Sequence, residues 1–335
     1  MKNLGLLLLF CCISIFAEAQ EKPRVAVTAS MIWDMTKIIA GDHAQVDCIV
    51  PIGSDPHTFE PTPDDAREVA KANLIIKNGL TFEGWLDELI NNSGTKAEVV
   101  TVTDDIPAIT SLTYHDAADP HAWMDVSFAQ IYIKNIKDAL VKLLPEHSAD
   151  FEKNYQKYKE ELMELDRYIM QAIQSIPKSR RILITSHDAF QYYGRRYGIR
   201  LEAIMGVSTD AEAQTSDILR LNKIIRESKI PAVFVESTIN PKLLERLAKD
   251  HKIKVGGELF ADSIGGKNSK APTYVAMMRH NTDVIVNALK EEVEGADNKA
   301  QEEEKSNSNW FFIGLIAALF IGGFILVAKK MNGPS

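Results

Sequence analysis

The chain is predicted to be an α/β protein of two parallel-sheet lobes joined by a long α-helix, followed by a C-terminal transmembrane helix. Three observations predict it. Short β-rich runs alternate with amphipathic stretches from Arg24 to Ile176, and the alternation restarts at Arg180. Between the two series, Ser148 to Ser175 contains no Pro or Gly and carries apolar residues at helical spacing: Phe151, Tyr155, Tyr158, Leu162, Leu165, Ile169 and Ile173. Near the C-terminus, Trp310 to Ala328 is apolar and carries no charge.

In the first series, Val25–Val27, Cys48–Val50, Leu74–Ile76 and Ala97–Val102 read as strands. Helices are expected over Ile32–Ala40, Asp64–Ala72, Phe82–Ile90 and Ser127–Leu144. Pro63 suits the first turn of the second helix, and Pro145 stops the fourth. The middle helix would be ~40 Å long; a coiled-coil dimer needs a longer pattern. In the second series, Ile182–Ile184, Ala232–Val235 and Ile253–Val255 read as strands. Ala189–Tyr197 (closed by Gly198), Ser216–Ser228, Pro241–Asp250 and Thr273–Leu289 read as helices.

The ends point to export. Lys2, the apolar run Leu4–Phe16 and Ala17-Glu18-Ala19 form a secretory signal with cleavage expected after Ala19. The segment Trp310–Ala328 nearly spans a ~30 Å hydrocarbon core. Lys329 and Lys330 place its far edge in the cytoplasm. The expected divisions are a signal peptide at 1–19, an N-terminal α/β lobe at 20–145, a linking helix at 146–177, a C-terminal α/β lobe at 178–290, a polar spacer at 291–309, a membrane anchor at 310–328 and a cytoplasmic tail at 329–335. The protein is thus expected in the cell membrane, single-pass, with its body on the extracytoplasmic side. Cys11 and Cys12 leave with the signal, so Cys48 is the only thiol and an intrachain disulfide is excluded; its strand-like setting suggests a buried, inert thiol. Hydrophobic residues are 45% and charged residues 25%, as in ordinary folded domains. A net charge of -8 argues against a nucleic-acid partner and is compatible with cation capture.

Chemistry concentrates in four places. Asp-Pro-His occurs twice, as Asp55-Pro56-His57 and Asp119-Pro120-His121. His187 follows an apolar strand, and Asp262 follows the strand around Val255. Three imidazoles and a carboxylate suit one transition-metal ion. Ligands of open parallel sheets bind beyond the strand carboxyl ends, where all four are expected. Proline before a histidine restricts the backbone and lowers the entropy lost when the ring is fixed. Asp55 and Asp119 are suited either to accept the other ring N–H or to cap turns. His43, His115, His147, His251 and His280 are assigned to ordinary surface or core roles, with His115 the closest to a motif. Glu236 ends a strand on the same rim, where it could ligate, but it better suits ordering a loop or supporting a ligand from behind.

The segment Pro51 to Pro63, containing Ser54-Asp55-Pro56-His57-Thr58-Phe59-Glu60-Pro61, resembles the first metal motif of the zinc- and manganese-specific solute-binding proteins of ABC transporters. Asp119-Pro120-His121-Ala122-Trp123 resembles the second, and Ser186-His187-Asp188-Ala189-Phe190 with Tyr197-Gly198-Ile199 the third. Gly206-Val207-Ser208-Thr209 and Phe234-Val235-Glu236-Ser237-Thr238 resemble further signatures of that family. Asp262-Ser263-Ile264-Gly265 resembles the last ligand motif. The motifs fall in family order from about Arg24 to Leu289. The resemblance implies two α/β lobes, a rigid linking helix, and a metal in the cleft held by His57, His121, His187 and Asp262. Some manganese-selective members carry Glu where this chain has His187, and a third imidazole favours Zn2+ by ligand type. Mn2+ is the alternative, because some three-His members bind both. The loop ahead of the second motif is short, with only His115 and Asp116, unlike the His- and acid-rich loop of many zinc members.

The function expected is capture of a divalent metal ion for delivery to an ABC permease, without catalysis. Two alternatives stay open: a membrane-anchored surface adhesin with a structural metal, and a zinc hydrolase. Four candidate ligands fill the shell that a catalytic zinc leaves open, which argues against the hydrolase.

Overall fold

A computed structural model describes residues 21–110, 118–228 and 230–290 of the chain. The first lobe contains β1 (Arg24–Val27), α1 (Ser30–Ala40), β2 (Gln45–Cys48), α2 (Pro63–Ala70), β3 (Leu74–Lys77), α3 (Leu86–Ser93), β4 (Glu98–Thr101) and α4 (Val126–Leu143). Its strands are all parallel, in the order β2-β1-β3-β4. Successive strand residues point to opposite faces. Val25, Val27, Leu74 and Ile76 therefore pack with α1 and α4, while Ala26 and Ile75 pack with Val69 of α2 and Leu86 and Leu89 of α3. Covering both faces is what permits an all-parallel sheet. The chain steps to one side of β1 and returns on the other, so a switch point lies between β1 and β3.

Helix α5 (Ser148–Gln174) then crosses the molecule. Phe151, Tyr158, Leu162, Leu165, Ile169 and Ile173 form its buried stripe, packed against α4 and α1 on one side. The second lobe follows with β5 (Ile182–Thr185), α6 (Gln191–Tyr197), β6 (Arg200–Ala203), α7 (Thr215–Ser228), β7 (Ala232–Glu236), α8 (Lys242–His251), β8 (Lys254–Leu259) and α9 (Tyr274–Lys290). α5 also packs on α9 and α6, which couples the lobes through one continuous helix. Leu165→Ala is expected to cost ~2–5 kcal/mol in a urea titration, because the side chain is fully buried. The same variant should leave the metal affinity of the cleft unchanged, since α5 carries none of His57, His121, His187 and Asp262.

Strands β5–β6 and β7–β8 pair in parallel, and β5 runs alongside β7. The order β6-β5-β7-β8 repeats that of the first lobe, so each lobe turns its switch point toward the cleft. Bonds across the cleft fix the two. Ser30 and Ser263 hydroxyls lie 3.0 Å apart, and Ser30 Oγ accepts the Ile264 N–H at 2.9 Å. Trp123 Nε1 donates to the Ala261 carbonyl at 3.1 Å, and the Tyr274 hydroxyl donates to the Trp123 carbonyl at 2.6 Å. Asp34 of α1 accepts the N–H of Tyr274 at the start of α9, at 2.8 Å.

Four elements differ from the sequence reading. β2 lies over Gln45–Cys48, ahead of the apolar Cys48–Val50, because it is an edge strand with only partial burial. α3 starts at Leu86 and not at Phe82. Gly79, Leu80 and Thr81 all have positive φ (89°, 52° and 66°), and tight turns follow, with Phe82 N–H bonded to the Gly79 carbonyl and Leu86 N–H to the Glu83 carbonyl. β6 has no counterpart in the sequence reading: Arg200 and Glu202 pair with each other on its exposed side, so it lacks an apolar signature. β8 runs on through Gly256 and Gly257 to Leu259; a Cβ on Gly256 would lie 2.7 Å from Ala288 of α9, so the strand stays bare where the helix crosses it. Cys48 is part-buried, its thiol donates to the Val50 carbonyl, and burial pushes its pKa up to about 12, which keeps it unreactive.

The expected signal peptide at 1–19, the spacer at 291–309, the transmembrane segment at 310–328, the tail at 329–335 and His115 lie outside the described residues. Among the described residues, no helix is long and apolar enough to cross a membrane.

Candidate metal centre

His57, His121, His187 and Asp262 come from four different loops and meet in the cleft. His57 lies beyond β2 and His121 in the loop between β4 and α4. His187 follows β5 by two residues, and Asp262 follows β8 by three. His121, His187 and Asp262 are fully buried, and His57 is partly buried.

The rings present their Nε2 atoms to one another. His121 Nε2 lies 3.3 Å from His57 Nε2 and 3.3 Å from His187 Nε2. Asp262 Oδ1 is 3.2 Å from His121 Nε2, and Oδ2 is 3.1 Å from His187 Nε2. A tetrahedral ion with bonds of roughly 2.0–2.1 Å spaces its ligand atoms about 3.3 Å apart. The cluster therefore has the dimensions of a shell around one small cation.

The outer contacts fix which nitrogen faces inward. Asp119 Oδ1 accepts the backbone N–H of His121 at 2.9 Å and contacts its Nδ1 at 2.7 Å. Glu236 repeats this on His187, with Oε1 accepting the backbone N–H at 2.9 Å and Oε2 lying 2.6 Å from Nδ1. Placing a carboxylate on Nδ1 keeps the Nε2 lone pair free for a cation and raises its basicity. Asp119→Ala and Glu236→Gln are each expected to weaken metal binding by about 10–100-fold, read by competition with a chromophoric chelator. Asp55 departs from the pattern: Oδ1 accepts the His57 backbone N–H at 2.9 Å, while Oδ2 accepts the Thr209 hydroxyl at 2.6 Å from the opposite lobe.

Burial and charge set the protonation of the cluster. His57 is pushed down to about 3, first by burial, with the neighbouring imidazoles adding to it. Burial also opposes charge on His121, but the hydrogen bonds to Asp119 and Asp262 outweigh it and raise the ring to about 9. His187 stands well above the ordinary histidine value, since the charges of Glu236 and Asp262 outweigh burial. Asp262 is held well below the ordinary carboxylate value, because His187 and His121 outweigh its desolvation. The metal-free cluster is thus charged, with protons standing where a cation would sit.

Residues that the sequence did not single out hold this arrangement. Glu83 accepts the Thr28 hydroxyl and the backbone N–H groups of Asn78 and Gly79. Asn78 donates to the Pro120 carbonyl at 2.9 Å and accepts from the Tyr132 hydroxyl at 2.6 Å, so β3 locks the second Asp-Pro-His. Phe82 meets His57 edge-on at 4.7 Å, and Trp123 meets His121 at 5.2 Å, walling the cluster with aromatic surface. Asn78 carries one sequence signal, a polar residue directly after a buried strand, and Glu83 carries none.

Two α/β lobes on a continuous helix, with a buried donor cluster between facing switch points, define a solute-binding protein built around a cleft. The chain matches the family described as ZnuA, zinc-uptake complex component A periplasmic, over residues 25–288, and it belongs to that family of metal-binding solute-binding proteins of ABC transporters. It is 38% identical over 279 residues to the zinc-binding protein TroA of Treponema pallidum, covering 82% of this chain and 91% of that one. It is 34% identical over 273 residues to the manganese-binding lipoprotein MntA of Halalkalibacterium halodurans, covering 82% and 90%. The solved structure of the Treponema pallidum periplasmic zinc-binding protein TroA superposes with a TM-score of 0.77 at 36% identity, covering 81% of this chain and all of that one. The chain is accordingly a metal-binding component of an ABC transporter and not an enzyme.

Proposed function

We propose that the protein captures Zn2+ outside the cytoplasm through His57, His121, His187 and Asp262 and delivers it to an ABC permease. The observation that carries this reading is the spacing of three inward Nε2 atoms and a carboxylate at 3.1–3.3 Å. Three imidazoles against one carboxylate also favour zinc over harder ions. Neutral rings and ionised Asp262 would hold the ion, while Asp119 and Glu236 orient two of the rings.

Mn2+ is the second reading, and it has its own support. The two oxygens of Asp262 each face a different imidazole, Oδ1 toward His121 and Oδ2 toward His187. A bidentate carboxylate would enlarge the shell toward the oxygen-richer sites manganese prefers. The relatives' names include both metals.

The proposed domain organisation keeps the boundaries 20–145, 146–177 and 178–290, followed by the spacer and a single-pass anchor at 310–328 that holds the binder beside its permease. Because α5 and the cross-cleft bonds tie the lobes, release should proceed by movement of the His57 loop, which is the least buried of the four and is pinned across the cleft by Asp55 and Thr209.

Native mass spectrometry of the full-length protein offered equal zinc and manganese tests the reading. One tightly held zinc per chain, lost in His57→Ala, is the expected result. Manganese retained over zinc would reverse the metal, and the absence of a tightly held ion would remove the capture site.

A further inference from the structure

We propose that His43, His147 and Asp150 form a second, water-accessible site for a divalent transition metal, at the opposite end of the first lobe from the cleft. One donor atom from each lies within 4.8 Å of the others. His43 Nε2 is 3.0 Å from Asp150 Oδ2, and the two imidazoles stack with centroids 3.9 Å apart and planes at 23°. α1 runs from Ser30, at the cleft, for 11 residues before the turn that carries His43, so a helix of ~16 Å lies between Ser30 and that turn.

The backbone under this cluster is fixed. His43 lies in the turn that ends α1, with its N–H bonded to the Ala40 carbonyl. Asn154 of α5 donates to the Ile39 carbonyl at 3.1 Å and pins the end of α1 to the helix. His147 closes the 3-10 turn Pro145–His147, and Asp150 lies in the first turn of α5. Phe151 supports both rings edge-on, at 5.7 and 6.3 Å. The side chains keep freedom that the backbone lacks: His43 is 28% exposed, His147 36% and Asp150 58%. Unstacking of the two rings, which this exposure allows, would draw the donors toward the ~3.3 Å spacing of a metal shell.

An ion pair of His43 with Asp150, and the preference of a carboxylate for a helix N-terminus, explain two members of the cluster. Neither explains a second imidazole stacked on the first. Cofacial rings cannot both aim their in-plane lone pairs at one ion, so binding would turn His147 out of the stack, a move its 36% exposure permits. Two nitrogens and one carboxylate leave at least one coordination position open to water, so binding should be weaker than in the cleft and should follow the Irving–Williams order.

The test is zinc titration of the full-length protein by calorimetry and native mass spectrometry. Wild type should take up two equivalents, one tight and one weaker. The double variant His43→Ala/His147→Ala should keep the tight equivalent and its melting temperature while losing the weaker one. Asp150→Asn, which preserves the packing, should weaken the second event at least tenfold. His57→Ala should do the reverse, losing only the tight equivalent, so failure of the cleft site and failure of this one are read separately. A single equivalent in wild type, or a weaker equivalent that survives in the double variant, would overturn the proposal.

Discussion

Asp262→Asn is expected to lower zinc affinity by about 10²–10³-fold without unfolding the protein. Structural zinc sites of four ligands supply an apparent ~10–16 kcal/mol, or roughly 2.5–4 kcal/mol per ligand, and a tenfold change in affinity corresponds to about 1.4 kcal/mol. Asp262 is the only anion among the four, and it contacts two of the three rings. Asparagine keeps the shape but removes the charge that offsets the ion. In the metal-free protein the same change takes away the carboxylate that raises His121 and His187, so those rings should hold protons less strongly. Chelator competition measures the first effect, and histidine NMR titration of the metal-free protein measures the second. An affinity within tenfold of wild type would mean that Asp262 is not a ligand.

Metal affinity should rise by about 10⁴-fold between pH 6 and pH 8. Binding requires neutral rings, and each proton displaced makes affinity tenfold stronger per pH unit. His57 is already neutral in this range, as its pKa is about 3, and Asp262 is already ionised. His121, raised to about 9, and His187, raised further, both hold protons that the ion must displace. Two protons should therefore be released per ion, and the slope should fall toward one above about pH 9. Calorimetry in buffers of different ionisation enthalpy counts those protons directly.

The stability of the metal-free protein should run the other way. His121 has a folded value above the unfolded 6.5, so its contribution is complete below pH 6.5 and is lost as pH rises through about 9. That contribution is on the order of 3 kcal/mol. His57 has the opposite sign, since its ring is protonated in the unfolded chain below 6.5 but not in the fold until about 3, so acid destabilises through it. Melting curves should show the metal-free form weakening between pH 7 and 9 while the zinc-loaded form strengthens. Parallel curves would contradict the assignment of the displaced protons.

Much of this arrangement was legible because the information is local. The proline before His57 and His121, and the strand before His187, mark each side chain within a few residues of sequence. The stripe on α5 is equally local, and every member from Phe151 to Ile173 is buried except Tyr155, which is half-buried. What escaped depends on contacts between distant segments. Asp55 finds Thr209 154 residues away, and Asn78 finds Pro120 across 42 residues, pairings that no spacing encodes. β6 escaped because an exposed strand bearing Arg200 and Glu202 has no apolar alternation, and α3 began late because left-handed residues and then tight turns precede it.

The most direct test of the account is anomalous diffraction at the zinc edge from crystals of the protein loaded with one equivalent. The account predicts a single strong peak bonded to His57 Nε2, His121 Nε2, His187 Nε2 and Asp262, at about 2.0–2.1 Å from the nitrogens. A peak elsewhere, or one bonded to fewer than three of these four side chains, would contradict it.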